Sequence, residues 1–217
     1  MGESQTEIAS DRVSRILAKR ILSGKLRPGA SIKQDQLAAE LGISRIPVRD
    51  ALRILEGRGL ITLKSNFSAR VVELSLRDVE INYELRERIE PMLMAESLPG
   101  LTDPDIAELQ DVYDSLQESN DLEETDRLGR AFHMIVYRRH NTPHLAQIVE
   151  RLWDMTQLYR HVYSQIALSQ NPEILRNDHR LLFEAIRRRE VEIAQAALVL
   201  HIRRSRLCLS QYIRPQP

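Results

Sequence analysis

The chain has one cysteine, Cys208, in 217 residues. No intrachain disulfide is possible, and a reducing compartment, the cytoplasm, is the expectation. No apolar run is long enough to span a bilayer, and no charged-then-apolar leader is visible, so the reading has no place for a membrane. Internal repeats and low-complexity segments are also absent, which removes solenoid architectures from view. Net charge is lacking as well, with 31 Lys+Arg against 31 Asp+Glu.

That zero hides an asymmetry. Residues 1–74 carry 13 basic and 8 acidic side chains, giving +5, whereas residues 75–217 carry 18 and 23, giving −5. No lysine occurs after Lys64. A basic unit joined to an acidic one suggests that only the first meets nucleic acid.

Within the basic part, residues 34–60 read QDQLAAELGISRIPVRDALRILEGRGL. Leu37, Ala38 and Leu41 fall at helical spacing before a Gly42-Ile43 break. Ser44 is a good N-cap residue for a second helix, and Pro47 in that helix's first turn costs little because its N–H has no intrahelical partner there. At about 100° per residue Val48, Ala51, Leu52 and Leu55 share one face, while Arg45, Arg49 and Arg53 form an adjacent stripe. Apolar anchoring behind and bidentate donors in front suit an element laid into the DNA major groove. The plain alternative is a helical hairpin whose arginines are merely solvated.

These residues carry a resemblance. LAAELGISRIPVRDALRILEGRGLI is similar to the DNA-binding signature of the GntR family of bacterial transcription regulators, through Leu37, Ala38, Leu41, Ser44, Arg45, Pro47, Val48, Arg49, Ala51, Leu52, Leu55, Gly59 and Leu60. Upstream, residues 6–24 read as an amphipathic helix ended by Gly24-Lys25-Leu26-Arg27-Pro28-Gly29, a turn the family also shows, and Ser31-Ile32 reads as a short strand. Downstream, the β-prone runs Leu60–Leu63 and Ala69–Val72 predict a hairpin wing, with Lys64 and Arg70 placed to hold phosphates. Two positions depart from the family: Ser68 stands where a wing glycine is usual, and Asp35 where many relatives place a basic residue. Asp35 is expected to cap a helix beginning at Gln36.

From Ser75 onward only helical patterns occur, over residues 78–98, 103–119, 122–139, 144–167, 173–188 and 190–212, with Pro91 expected to bend or divide the first. About six helices imply an antiparallel bundle. The expectation is therefore a mainly α chain: a winged helix-turn-helix over 1–74 and an all-α bundle over 75–217. The second part resembles the FCD ligand-binding domain of the FadR-like branch of the same family, through Glu84-Leu85-Arg86…Glu90, Phe132-His133, His140–Leu145, Asp178-His179-Arg180 with Leu182, Ala185 and Ile186, and Ala194…His201-Ile202.

The resemblance implies that His133, His179 and His201 converge on a divalent metal, and neutral imidazoles from separate helices suit zinc or nickel. Relatives add an aspartate four residues before the first histidine. Here that place is Gly129, and Asp126 lies a further turn away, where only a bent helix would bring it to a shared metal. Three metal-free core histidines are the alternative. Spacing supports part of the convergence: His179 and His201 flank the polar turn Arg187-Arg188-Arg189 at similar distances, so an antiparallel hairpin brings them to one height. Arg86 occupies the place of a family arginine that grips an effector carboxylate, the alternative being a surface salt bridge to Glu87 or Glu90. Water, Asp126 or the effector's own carboxylate would complete the metal's coordination.

The resulting expectation is a homodimeric regulator binding double-stranded operator DNA, not an enzyme, and probed by a small carboxylate that releases it. A metal-dependent hydrolase built on the three histidines is the competing class, but no base stands beside the site and the winged helix would be left unexplained. A third possibility is that the metal itself is the signal.

Overall fold

The computed structural model of the chain describes residues 9–64 and 68–213. They form two compact units, one of residues Met1–Ser75 with Trp153–Leu158, the other of Leu76–Leu152 with Tyr159–Pro217. The chain is mainly α-helical with one small antiparallel sheet. Among the described residues no helix is long and apolar enough to cross a membrane.

In the first unit, α1 (Ala9–Leu22), α2 (Gln34–Leu41) and α3 (Arg45–Gly57) pack around Val13, Leu17, Ile21, Leu37, Val48, Leu52 and Leu55, all nearly inaccessible. The four apolar residues of α3 expected on one face are its four buried ones. Gly42 ends α2 with φ 64°, a left-handed conformation that closes the tight turn and suits glycine. Strands β1 (Ser31–Lys33), β2 (Ile61–Lys64) and β3 (Ser68–Val71) form a sheet in the order β1-β3-β2. The hairpin is thus widened by β1, which pairs Ser31 with Arg70 and Lys33 with Ser68. The expected wing tip includes residues 65–67, which lie outside the described residues, as do residues 6–8 of the first helix.

The second unit is built from α4 (Leu76–Ser97), α5 (Asp103–Glu118), α6 (Leu122–Tyr137), α7 (Pro143–Met155), α8 (Gln157–Gln170), α9 (Pro172–Arg187) and α10 (Val191–Ile213), with the ends of α7 and α8 falling in the first unit's share. Seven helices replace the expected six because the long segment 144–167 breaks at Thr156, which is fully buried. No glycine or proline marks the break. Two residues before it, the buried Asp154 carboxylate accepts from Arg58 Nε at 2.7 Å within the first unit. Pro91 does not divide α4. Its ring is buried and its carbonyl accepts from Gln195 Nε2 of α10 at 3.0 Å, so packing carries the helix past the missing N–H. Further along the same helix pair Ser210 Oγ reaches Glu80, so α4 and α10 run antiparallel.

Candidate DNA interface and three-histidine site

The exposed face of α3 carries Ser44, Arg45, Ile46, Arg49 and Arg53, with Pro47 half-buried behind them. Ser44 is the N-cap residue in extended conformation, but its side chain makes no capping hydrogen bond. Arg49 Nε lies 3.4 Å from Asp50. Arg70 is exposed on β3 and donates to the Gly29 carbonyl at 2.6 Å, tying the sheet to the turn after α1; Lys64 is exposed at the end of β2. Asp35 does not cap a helix from Gln36. The helix starts two residues earlier, at Gln34, so Asp35 lies inside its first turn, favourably placed for the helix dipole, and pairs with Arg45 at 2.8 Å.

The second site lies inside the bundle. His133 on α6, His179 on α9 and His201 on α10 are all buried, with ring centroids 5.9, 5.2 and 4.7 Å apart for the pairs 133–179, 133–201 and 179–201. The α9–α10 turn is closed by Arg189 at φ 58°. Phe132 packs edge-to-face with both His133 and His179. One ligand nitrogen from each histidine lies within 4.8 Å of the others. Three imidazoles on one zinc at about 2.1 Å would stand roughly 3.4 Å apart, a difference that small ring rotations close.

Hydrogen bonds around the rings favour metal ligation. His179 Nδ1 lies 2.9 Å from the Leu175 carbonyl, and His133 Nδ1 lies 3.4 Å from the Tyr137 hydroxyl. Both contacts turn Nε2 toward the cluster. His201 Nδ1 lies 3.9 Å from Asp178 Oδ2, and both atoms are buried with no hydrogen-bond partner. Such a carboxylate beside a ligating imidazole is the usual outer partner that fixes its tautomer. Burial keeps all three rings neutral: it lowers the His179 pKa to about 4, and, reinforced by neighbouring cationic groups, holds His133 and His201 well below the ordinary value. Neutral imidazole is the form that binds a metal. The donor set therefore fits a divalent ion, supplied with three nitrogens and no carboxylate from α6.

Gly129 leaves open space where a Cβ would stand. Asp126 is not brought to the cluster. Its carboxylate lies 2.6 Å from His161 Nδ1 of α8, which matches its position two turns from His133.

Arg86 is buried beside the histidines and bonds Glu90 at 2.5 Å, one helical turn away. It does pair with Glu90, but inside the bundle and not at its surface. Glu90 also accepts from the Tyr137 hydroxyl at 2.7 Å, so Arg86, Glu90, Tyr137 and His133 form one chain of polar contacts. Arg86 also lies over the Tyr83 ring, 5.0 Å from its centroid. Burial opposes its charge, but Glu90, Tyr83 and Tyr137 outweigh that and raise its pKa. Arg160 of α8 stands in the same field; burial, then repulsion from Arg86, disfavours its charge. Glu87 is held by Arg203 and Arg206 of α10.

Glu90, Tyr137, Arg160 and Asp178 are additions to the site expected from sequence. Each had a local signal: Glu90 is four residues from Arg86, Tyr137 four from His133, Asp178 adjacent to His179, and Arg160 next to His161. What local spacing lacks is the packing of α4 on α6 and α10.

Comparison with known proteins agrees with this geometry. The model for bacterial regulatory proteins of the gntR family matches residues 9–71, and that for the FCD domain matches residues 80–204. The chain is 31 % identical over 185 residues to the HTH-type transcriptional regulator McbR of Escherichia coli (strain K12), covering 83 % of each. It is 25 % identical over 186 residues to the gluconate operon transcriptional repressor of Bacillus subtilis (strain 168), covering 82 % of this chain and 76 % of that one. Among solved structures, E. coli McbR/YncC matches with a TM-score of 0.80 at 27 % identity, over 95 % of this chain and 99 % of that one. These relatives are regulators, and none supports the hydrolase alternative. The chain belongs to the gntR family of bacterial regulatory proteins, as a winged helix-turn-helix DNA-binding unit followed by an FCD domain.

Proposed function

We propose that this protein is a cytoplasmic, homodimeric transcriptional repressor that a small carboxylate releases from its operator. Residues 1–74 serve as the DNA-binding domain, with Ser44, Arg45, Pro47, Arg49, Arg53, Lys64 and Arg70 at the duplex. Residues 75–217 serve as the sensor and dimerisation domain. The observation that carries the sensing part is the buried Arg86, with the half-buried Arg160 whose charge is disfavoured, beside three neutral imidazoles. An anion entering among them would relieve the repulsion between the guanidiniums and be gripped by fixed donors. One relative is named for the gluconate operon, and gluconate is a carboxylate.

His133, His179 and His201 would hold one divalent ion, zinc or nickel, which when bound supplies open positions for a carboxylate oxygen or water. With Gly129 in place of an aspartate, the effector's own carboxylate is the natural completing ligand. Asp126 contributes through His161, holding α6 to α8 at the edge of the site. Exposed apolar side chains on α10 and α4 support the homodimer.

The test is a titration of duplex from the gene's own upstream region with purified protein, repeated with a panel of small carboxylates and with a chelator. Release by a carboxylate from the metal-loaded protein is the expected result. Release by chelator alone, with no carboxylate effect, would instead make the metal the signal.

A further inference from the structure

The Asp35–Arg45 pair has no role in holding the fold. Both side chains are largely exposed, at 63 % and 73 %, and an exposed ion pair adds little to stability. Its geometry is nevertheless specific. Asp35 stands in the first turn of α2, Arg45 opens α3, and the closest approach of this ion pair, 2.8 Å, is to Arg45 Nε. A guanidinium whose Nε side faces the carboxylate turns its outer edge, with both terminal nitrogens, away from it. That edge is the one that donates bidentately to O6 and N7 of a guanine in the major groove. Gln34, Asp35, Arg45, Ile46 and Arg49 line one shallow hollow on this face, so the carboxylate lies within the surface that meets the duplex.

We infer that Asp35 is a specificity-determining residue: it buttresses Arg45 so that this arginine reads a guanine and is kept from a phosphate. A long flexible arginine without a buttress can drop onto either, and phosphate contacts carry no sequence information. Drawing the guanidinium to the carboxylate before binding biases that choice and reduces the rotamer freedom that goes with it. The aspartate has an opposite effect on binding as such, because its charge repels the phosphate backbone. Asp35 thus exchanges general affinity for discrimination at one base pair. The inference rests on the DNA-binding role of α3, and the experiment separates the two.

The preferred site of the full-length protein is selected from a duplex library randomised over both half-sites. Affinities of the parent, Asp35→Ala, Asp35→Asn, Arg45→Ala and the double variant are then measured on that site, on its single base-pair changes and on an unselected duplex. In the expected result, Asp35→Ala flattens the preference at the same G·C pair that Arg45→Ala flattens, by about tenfold. It leaves binding to the unselected duplex unchanged or tighter. Asp35→Asn, which keeps an acceptor, is intermediate. In the Arg45→Ala background, Asp35→Ala has no further effect on that pair. Equal tightening by Asp35→Ala on all duplexes would overturn the inference and leave Asp35 as a repulsive charge only. Flattening at a different pair, or an effect that survives loss of Arg45, would overturn it too. A parent that selects no site refutes the DNA-reading role of α3 itself. Binding to the unselected duplex, with melting followed by circular dichroism, reports whether each variant is folded.

Discussion

His201 Nδ1 and Asp178 Oδ2 lie 3.9 Å apart inside the bundle, and neither has a hydrogen-bond partner. The other Asp178 oxygen is bonded by Arg204. Burial raises the Asp178 pKa, against the pull of Arg204. A small ring rotation of His201 would close the gap and fix Nδ1–H toward the carboxylate, leaving Nε2 as the donor. Asp178→Ala should therefore weaken zinc binding by about 10–100-fold, the usual effect of removing such an outer partner. Calorimetric titration of the chelator-stripped protein measures it. Unchanged affinity would mean that Asp178 serves only to hold Arg204.

Gly129 leads to a second expectation. It lies within α6, one turn before His133, and a side chain there meets nothing within 4 Å. A carboxylate at this position shares the helix face of His133. Gly129→Asp should tighten zinc binding, and Gly129→Ala is the control. Gly129→Ala replaces a helix-interior glycine, which is worth about 1 kcal/mol and should raise the melting temperature, whereas aspartate, itself a poor helix former, gains little. Only the aspartate should change the metal affinity. Equal zinc affinities for the two variants would mean that the vacant wall of the site does not face the metal.

Acid should destabilise the metal-free protein in a defined window. The folded-state pKa of His179 is lowered to about 4 from 6.5, so between those values the unfolded chain binds the extra proton. Stability then rises with pH across the window and is flat above it. From neutrality down to about pH 4, His179 alone accounts for a loss of roughly 3 kcal/mol, and His133 and His201 act in the same direction. Asp105 does not confuse the measurement. Its carboxylate, held by Arg139, the Thr102 cap and Arg138, has its pKa far below the usual range, and its contribution is lost only at lower pH. Urea unfolding at a series of pH values tests this, and His179→Leu should flatten the slope. A slope unchanged by that substitution would assign the acid sensitivity to other groups.

How much of this was legible in the sequence follows the range of the interactions. The winged helix was readable because its signals are local: the α3 apolar face, the Ser44 cap and the left-handed Gly42 lie within a few residues of the elements they define. His179 and His201 could be aligned because a short turn joins their helices. The α7–α8 break was not readable, since no glycine or proline marks it and the neighbouring Asp154 bonds Arg58, 96 residues away in the chain. The polar chain through Glu90 and Tyr137 needed α4 placed against α6. Pro91 misled for a related reason: propensity disfavours it within a helix, and packing against α10 overrides that.

The final prediction concerns the dimer. Ile193, Leu200 and Leu207 recur every seventh residue on α10 and are 54 %, 45 % and 52 % exposed. The antiparallel neighbour α4 adds exposed Ile81, Leu85 and Met92. Two adjacent helices that both expose apolar side chains offer a surface suited to a second copy about a twofold axis, which would place each residue at the contact twice. Leu200→Lys should then remove apolar burial on both sides, at about 1.5 kcal/mol or more each, and weaken dimerisation by at least about 100-fold. Operator affinity should fall with it, because one recognition helix reads only a half-site. Light scattering at micromolar concentration, with and without operator duplex, measures both states. Ile148→Lys, at an equally exposed position on α7, should leave the dimer intact. A Leu200→Lys protein that remains a dimer would place the subunit contact elsewhere on the chain.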